Sequence, residues 1–142
     1  RQMCIRDRIY PVHLNPYIRE ESKKELGETD NIILIDPINV FDMHNLTKRS
    51  FLVLTDSGGL QEEAPALGKP VLVLRQETER PEAVLAGTVK IVGTEKSNIV
   101  NETQKLLDSQ KEYMHMANAA SPYGDGFAAK RITDIIIENI AK

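Results

Sequence analysis

Phe51-Leu52-Val53-Leu54-Thr55-Asp56-Ser57-Gly58-Gly59-Leu60-Gln61-Glu62-Glu63-Ala64-Pro65-Ala66-Leu67-Gly68-Lys69-Pro70-Val71-Leu72-Val73-Leu74 is the stretch that decides the fold. Residues 51–55 are apolar up to Thr55, as strands of a parallel sheet covered on both faces tend to be. Residues 60–67 read as a short helix ended by Gly68. The apolar run 71–74 supplies the next strand. Strand, helix and strand in unbroken succession predict a parallel sheet with crossover helices.

The same alternation extends in both directions. Upstream, a strand over 9–12 ends at His13-Leu14-Asn15-Pro16, and a helix over 17–26 takes Gly27 as its C-cap. A strand over 32–35 is closed by Asp36-Pro37, and a helix over 40–48 places Val40, Met43 and Leu46 at spacings of three. Downstream come a charged loop over 75–82, a strand over 89–92, and helices over 96–107 and 112–119. A turn at Pro122-Tyr123-Gly124-Asp125-Gly126 leads into an amphipathic helix over 128–140. The pattern predicts one α/β domain over 9–142, a Rossmann-like doubly wound parallel sheet. Ligands of such sheets bind beyond the carboxyl ends of the strands, so the residues just after strands carry the search for a site.

Composition bounds the function. The chain has 142 residues, enough for one domain with a sizeable core, with 41% hydrophobic and 27% charged residues. A net charge of −3 offers no polyanion surface, so no nucleic-acid partner is expected. No apolar run approaches the roughly 18 residues that would span a membrane, and no secretory pattern is seen. The single cysteine, Cys4, excludes an internal disulfide framework and fits a reducing cytoplasm. His13, His44 and His115 lack metal-ligand spacing, so neither a metal nor a cofactor is expected. Residues 1–8 fit no element pattern. They read as a non-native scar resembling translated adapter sequence, which would make the chain a fragment and leave Cys4 without functional weight.

Three clusters follow strands. Asp56-Ser57-Gly58-Gly59 lies where a helix begins, with main-chain N–H groups that have no intrahelical partner and about half a positive charge from the helix dipole. Two glycines let a phosphate approach the main chain without an obstructing Cβ, and Ser57 can cap the helix or donate to a phosphate oxygen. A tight capped turn with no ligand explains the same residues. Glu63, one turn further, can accept both hydroxyls of a ribose, while Glu62 faces elsewhere and suits the helix dipole. Glu77-Thr78-Glu79-Arg80-Pro81-Glu82 follows strand 71–74; Pro81 suits a first helical turn, and Arg80 could clamp phosphate oxygens bidentately. As a solvated charged loop it would need no ligand. His13 follows the first strand, either as a packing or capping residue or as a ligand. His44 and His115 read as surface or packing residues. There is no Walker loop, GxGxxG fingerprint, GxSxG elbow or Cys-His ligand pairing, and no nucleophile–base–orienter set can be assembled.

Taken together, Tyr10-Pro11-Val12-His13-Leu14-Asn15-Pro16, Thr55-Asp56-Ser57-Gly58-Gly59-Leu60-Gln61-Glu62-Glu63-Ala64-Pro65, Gly68-Lys69-Pro70-Val71-Leu72-Val73-Leu74-Arg75 and Thr78-Glu79-Arg80-Pro81-Glu82-Ala83 resemble the non-hydrolysing UDP-N-acetylglucosamine 2-epimerases. Gly87-Thr88-Val89 and the Pro122–Gly126 turn match as well. The resemblance implies a glycosyltransferase-B-type fold, with this chain as its C-terminal, UDP-binding half. Ser57, Gly58 and Gly59 would meet the diphosphate, Glu63 the ribose, and Arg80 the substrate. His13 would line the cleft; in bacterial relatives it is linked to a second, regulatory UDP-N-acetylglucosamine. The implied reaction interconverts UDP-N-acetylglucosamine and UDP-N-acetylmannosamine through proton removal at C2, anti elimination of UDP and its re-addition. A homodimeric full-length enzyme of cell-envelope polysaccharide biosynthesis is implied too. Its proton-moving carboxylates and interdomain histidine would belong to an N-terminal domain. One departure concerns the base: relatives commonly carry a glutamine and aromatic residues near the uracil, where this chain has Ile38, Val40 and Met43, with Phe41 displaced.

Two other readings use the same residues. A nucleotide-sugar glycosyltransferase of this fold would also need a phosphate-binding helix and a ribose carboxylate, although the 78–83 motif favours the epimerase. A receiver-like module would want acidic residues clustered around a phosphorylatable Asp56, where this chain has a Gly-Gly helix start.

Overall fold

The computed structural model describes residues 7–140. Cys4 and most of the 1–8 segment lie outside them, whereas Arg8 is the first residue of a strand. The chain divides into two compact units, one running through Met43 and the other from His44 onward.

In the first unit β1 (Arg8–Pro11) pairs in parallel with β2 (Ile32–Ile35), Ile9 facing Ile33 and Tyr10 facing Leu34. The crossover is α1 (Pro16–Leu26). Asn15 caps it, its side chain accepting the Tyr17 N–H at 2.9 Å, and Pro16 opens the helix where an N–H would find no partner anyway. Gly27 ends α1 but keeps a right-handed helical conformation, with φ −65°, and donates to the Lys23 carbonyl. Here the glycine is not needed for a left-handed cap. α2 (Val40–Arg49) follows; Asn39 accepts the Asp42 N–H at 3.0 Å and donates to the Asp42 carboxylate at 2.7 Å, which fixes the first turn.

The second unit is built on a parallel ladder of β3 (Val53–Thr55), β4 (Val71–Val73) and β5 (Val89–Ile91), with β4 in the middle. The register sets Val53 beside Val71 and Val71 beside Val89. α3 (Gly58–Ala66) links β3 to β4, and α4 (Pro81–Ala86) links β4 to β5. Gly87 ends α4 at φ 77°, in the left-handed region that glycine enters without a Cβ penalty. Then come α5 (Lys96–Asp108), α6 (Gln110–Ala117) and α7 (Ala128–Ile140).

All three residues of β4 are fully buried. On one face Val71 and Val73 pack with Ala64, Ala83 and Val89, joined by Val53, Ile91 and Tyr123. On the other, Leu72 packs with Val92 and Leu106. The alternation of β4 thus feeds two cores at once. The apolar run 51–55 does not pair throughout, and the ladder starts at Val53. Phe51 instead stacks on Tyr113, with ring centroids 4.3 Å apart, and its carbonyl accepts the Tyr113 hydroxyl at 3.0 Å. Leu54 is 42% exposed, since β3 is the outer strand of its ladder and has a neighbour on one flank only.

Among the described residues Leu72 is the largest fully buried side chain, whereas Leu85 is 88% exposed. Leu72→Ala is expected to destabilise the chain by about 2–5 kcal/mol through lost burial and a residual cavity. Leu85→Ala should change stability by no more than about 0.5 kcal/mol. Urea unfolding of the two variants checks the contrast.

Candidate functional site

Because β3, β4 and β5 are parallel, their carboxyl ends share one edge. At the end of β3, the Ser57 N–H donates to Thr55 Oγ1 at 3.0 Å, and the chain turns into α3. Ser57 occupies the N-cap position with an extended backbone, yet its hydroxyl makes no capping hydrogen bond. The N–H groups of the first helical turn, beginning with Gly58 and Gly59, have no intrahelical acceptors. The helix starts two residues earlier than 60–67 suggests, so both glycines belong to its first turn.

The glycines differ in what faces them. A Cβ on Gly59 would meet Glu63 Oε1 at 3.5 Å and Ser57 Oγ at 3.9 Å, which is ordinary contact. A Cβ on Gly58 would lie 2.8 Å from Glu79 Oε1 and 4.0 Å from Arg80 Nη2. The loop after β4 is therefore brought against the start of α3. Arg75 holds the Glu79 carboxylate at 3.0 Å. A hydrogen bond from its own backbone and the Arg75 and Arg80 guanidiniums outweigh desolvation and hold the Glu79 carboxyl below the usual carboxylate range.

Arg80 precedes the first turn of α4. Its Nε donates to the Glu62 carboxylate, Nη1 donates to the Glu79 carbonyl at 3.3 Å, and its backbone N–H donates to Thr78 Oγ1 at 3.1 Å. The hydrogen bond to Glu62 raises the Arg80 pKa further. Glu62, expected to serve the helix dipole, is thus the ion-pair partner of Arg80. Burial, then the charges of Glu82 and Glu62, push the Tyr123 hydroxyl above its ordinary value, which places the Pro122–Gly126 turn beside this pair.

Ser57, Gly58, Gly59, Glu63 and Arg80 are therefore assembled on one edge of the second unit. Two residues join them that sequence reading left out. His44, on α2, has Nε2 3.0 Å from Glu63 Oε2. The pair is separated by 19 positions, so no helical or strand spacing could have signalled it. Gln61, fully buried just before two half-buried glutamates, donates to the Ser57 carbonyl at 3.3 Å and accepts the Thr78 hydroxyl at 2.5 Å. A polar residue on the inward face of a helix is the only sign the sequence carried.

His13 belongs to the first unit. It is exposed, and its Nδ1 accepts the Asn15 N–H at 3.1 Å, the capping role considered for it. Nε2 is the ring nitrogen left for a ligand. Val40 and Phe41 are exposed at the start of α2, and Ile38 and Met43 are half-buried. Among the described residues no group of His, Cys, Asp and Glu could hold a metal ion, and no helix is long and apolar enough to cross a membrane.

The family model for UDP-N-acetylglucosamine 2-epimerase matches residues 5–137. The Bacillus subtilis UDP-N-acetylglucosamine 2-epimerase is 53% identical over 91% of this chain and 34% of its own length. A crystal structure of a putative UDP-N-acetylglucosamine 2-epimerase from Listeria monocytogenes superposes with a TM-score of 0.90 at 51% identity, covering 95% of this chain and 36% of that one. The Neisseria meningitidis enzyme, solved bound to UDP-GlcNAc, gives a TM-score of 0.86 at 46% identity, covering 93% and 36%. The chain spans about a third of the length of these relatives. It shares the α/β architecture of their glycosyltransferase-B-type fold. On the family match and these identities, the chain belongs to the UDP-N-acetylglucosamine 2-epimerase family.

Proposed function

We propose that this chain is the UDP-binding part of a two-domain epimerase that interconverts UDP-N-acetylglucosamine and UDP-N-acetylmannosamine. The observation that carries the reading is the uncapped start of α3, with Ser57 and two glycines at the carboxyl edge of the ladder and Glu63 one turn beyond. The relative solved with UDP-GlcNAc bound supports the choice of ligand. The diphosphate would accept from the N–H groups of Gly58 and Gly59 and from the Ser57 hydroxyl, with the helix dipole adding attraction. Glu63 would accept the two ribose hydroxyls, and Arg80 would place its free guanidinium nitrogen on a phosphate oxygen. The exposed Glu79 carboxylate, held by Arg75, lies beside Gly58, so in this reading it would have to turn aside as the ligand enters.

The chemistry explains why such a site suits an epimerase. Loss of the C2 proton sends the C2–H electron pair into a C1–C2 double bond, while the C1–O pair leaves with UDP. Negative charge then develops on the β-phosphate, at the helix start that stabilises it. The same contacts retain UDP until its oxygen attacks C1 again and C2 is reprotonated on the opposite face. The groups that move the C2 proton are assigned to the other domain of the complete enzyme, a cytoplasmic homodimer in this reading. The chain alone should bind UDP without turning over the sugar nucleotide.

Calorimetry with UDP tests the site. The wild-type chain should bind, and Glu63→Ala should weaken binding about tenfold or more, as expected for losing hydrogen bonds to a charged acceptor. A folded wild-type chain that gives no heat, or an unchanged Glu63→Ala variant, contradicts the assignment. Gly59→Ala separates binding from stability. Its methyl finds room in the folded chain, so stability should hold or rise by up to about 1 kcal/mol. UDP affinity should nevertheless fall about tenfold, because the methyl stands over the N–H groups that the phosphate needs. Thermal unfolding and calorimetry on one sample check both halves.

A further inference from the structure

Gln61 is the second-largest fully buried side chain among the described residues and the largest polar one. A methionine would fill that space without an amide to satisfy. The amide is instead used at both ends: Nε2 donates to the Ser57 carbonyl at 3.3 Å, and Oε1 accepts the Thr78 hydroxyl at 2.5 Å. Thr78 Oγ1 in turn accepts the Arg80 N–H at 3.1 Å. A continuous chain of hydrogen bonds thus runs from the residue that opens α3 to the backbone of Arg80. A second tie, from the Glu62 carboxylate to Arg80 Nε, fixes the other end of the same side chain. Of these two ties from α3 to the Arg80 turn, the Gln61–Thr78 link holds its backbone and the Glu62 pair its side chain.

We propose that Gln61 is a positioning residue that, through Thr78, locks the Arg80 turn onto the phosphate-binding start of α3. It touches no ligand and acts by holding Arg80 at the distance from Gly58 at which both can meet one diphosphate. Closely packed polar networks transmit such constraints because each member has a single well-satisfied arrangement. The inference rests on the nucleotide-site reading above, and the experiment separates the two.

UDP calorimetry on the 142-residue chain compares wild type with Gln61→Met, Thr78→Val, Thr78→Ser and Arg80→Ala, and with Thr78→Val in the Arg80→Ala background. Gln61→Met and Thr78→Val should each weaken UDP about tenfold, the scale of one lost positioning network. Thr78→Ser keeps the hydroxyl and should stay within about twofold of wild type. With Arg80 already removed, Thr78→Val should cost less than about twofold more, because its effect runs through Arg80. Thr78 is half-buried in a loop, so its valine variant remains informative should Gln61→Met not fold. Wild-type affinity in Thr78→Val, or an undiminished further loss in the Arg80→Ala background, overturns the positioning role while leaving the nucleotide site intact. A folded wild type that does not bind UDP overturns the nucleotide site and this role with it.

Discussion

Everything in the second unit depends on the parallel pairing of β4 with a strand on each side. A parallel ladder sends all its carboxyl ends to one edge, and full burial of Val71, Leu72 and Val73 pins that edge in place. The loops after Thr55 and Val73 must emerge side by side. Their side chains then meet without any local signal: Arg80 reaches Glu62, and Thr78 reaches Gln61. The ion pair and the hydrogen-bond chain are consequences of strand order. The apolar core supplies the stability, and of the side chains in these two links, Arg80, Glu62 and Thr78 are half-buried and Gln61 is buried. Partly exposed ion pairs such as Arg80–Glu62 contribute little to stability on their own. Their worth lies in where they put a guanidinium.

Charge at the site is balanced rather than simply positive. Glu62, Glu63 and Glu79 face Arg75, Arg80 and His44, each carboxylate with a cationic or imidazole partner. A helix start surrounded by carboxylates would repel a diphosphate if they were unpaired. Paired, Glu62 orients Arg80 and Glu63 presents one oxygen toward Gly59, while Glu79 is held by Arg75. A basic pocket would bind any polyphosphate. Under the proposed reading, this paired arrangement would favour an anion of defined shape with hydroxyls one helical turn away.

What the sequence made legible followed from periodicity and from residues with special backbone chemistry. The last helix reads from the sequence at its observed limits, 128–140, because its isoleucines recur at helical spacing from Ile132 to Ile140. The Asn15 and Pro16 helix start was implicit in residue type. Boundaries failed where a glycine or an apolar run had two uses. Gly58 and Gly59 look like helix breakers, but a first turn makes few internal hydrogen bonds and tolerates them. Phe51 is as apolar as Val53, but the ladder starts only where β4 starts, at Val53 beside Val71, and Phe51 goes to Tyr113 instead. Ser57, Gly58, Gly59, Glu63 and Arg80 could be singled out as candidates because each lies in the turn or first helical segment after a strand. His44 and Gln61 could not, because their partners are brought close only by tertiary folding.

The central claim is that the start of α3 receives the diphosphate of UDP. Its most direct test is an amide NMR titration of the chain with UDP. The N–H signals of Gly58 and Gly59 should shift downfield and saturate together, as expected for amides that gain a phosphate acceptor. Saturable binding that leaves those two amides unmoved while others shift would contradict it.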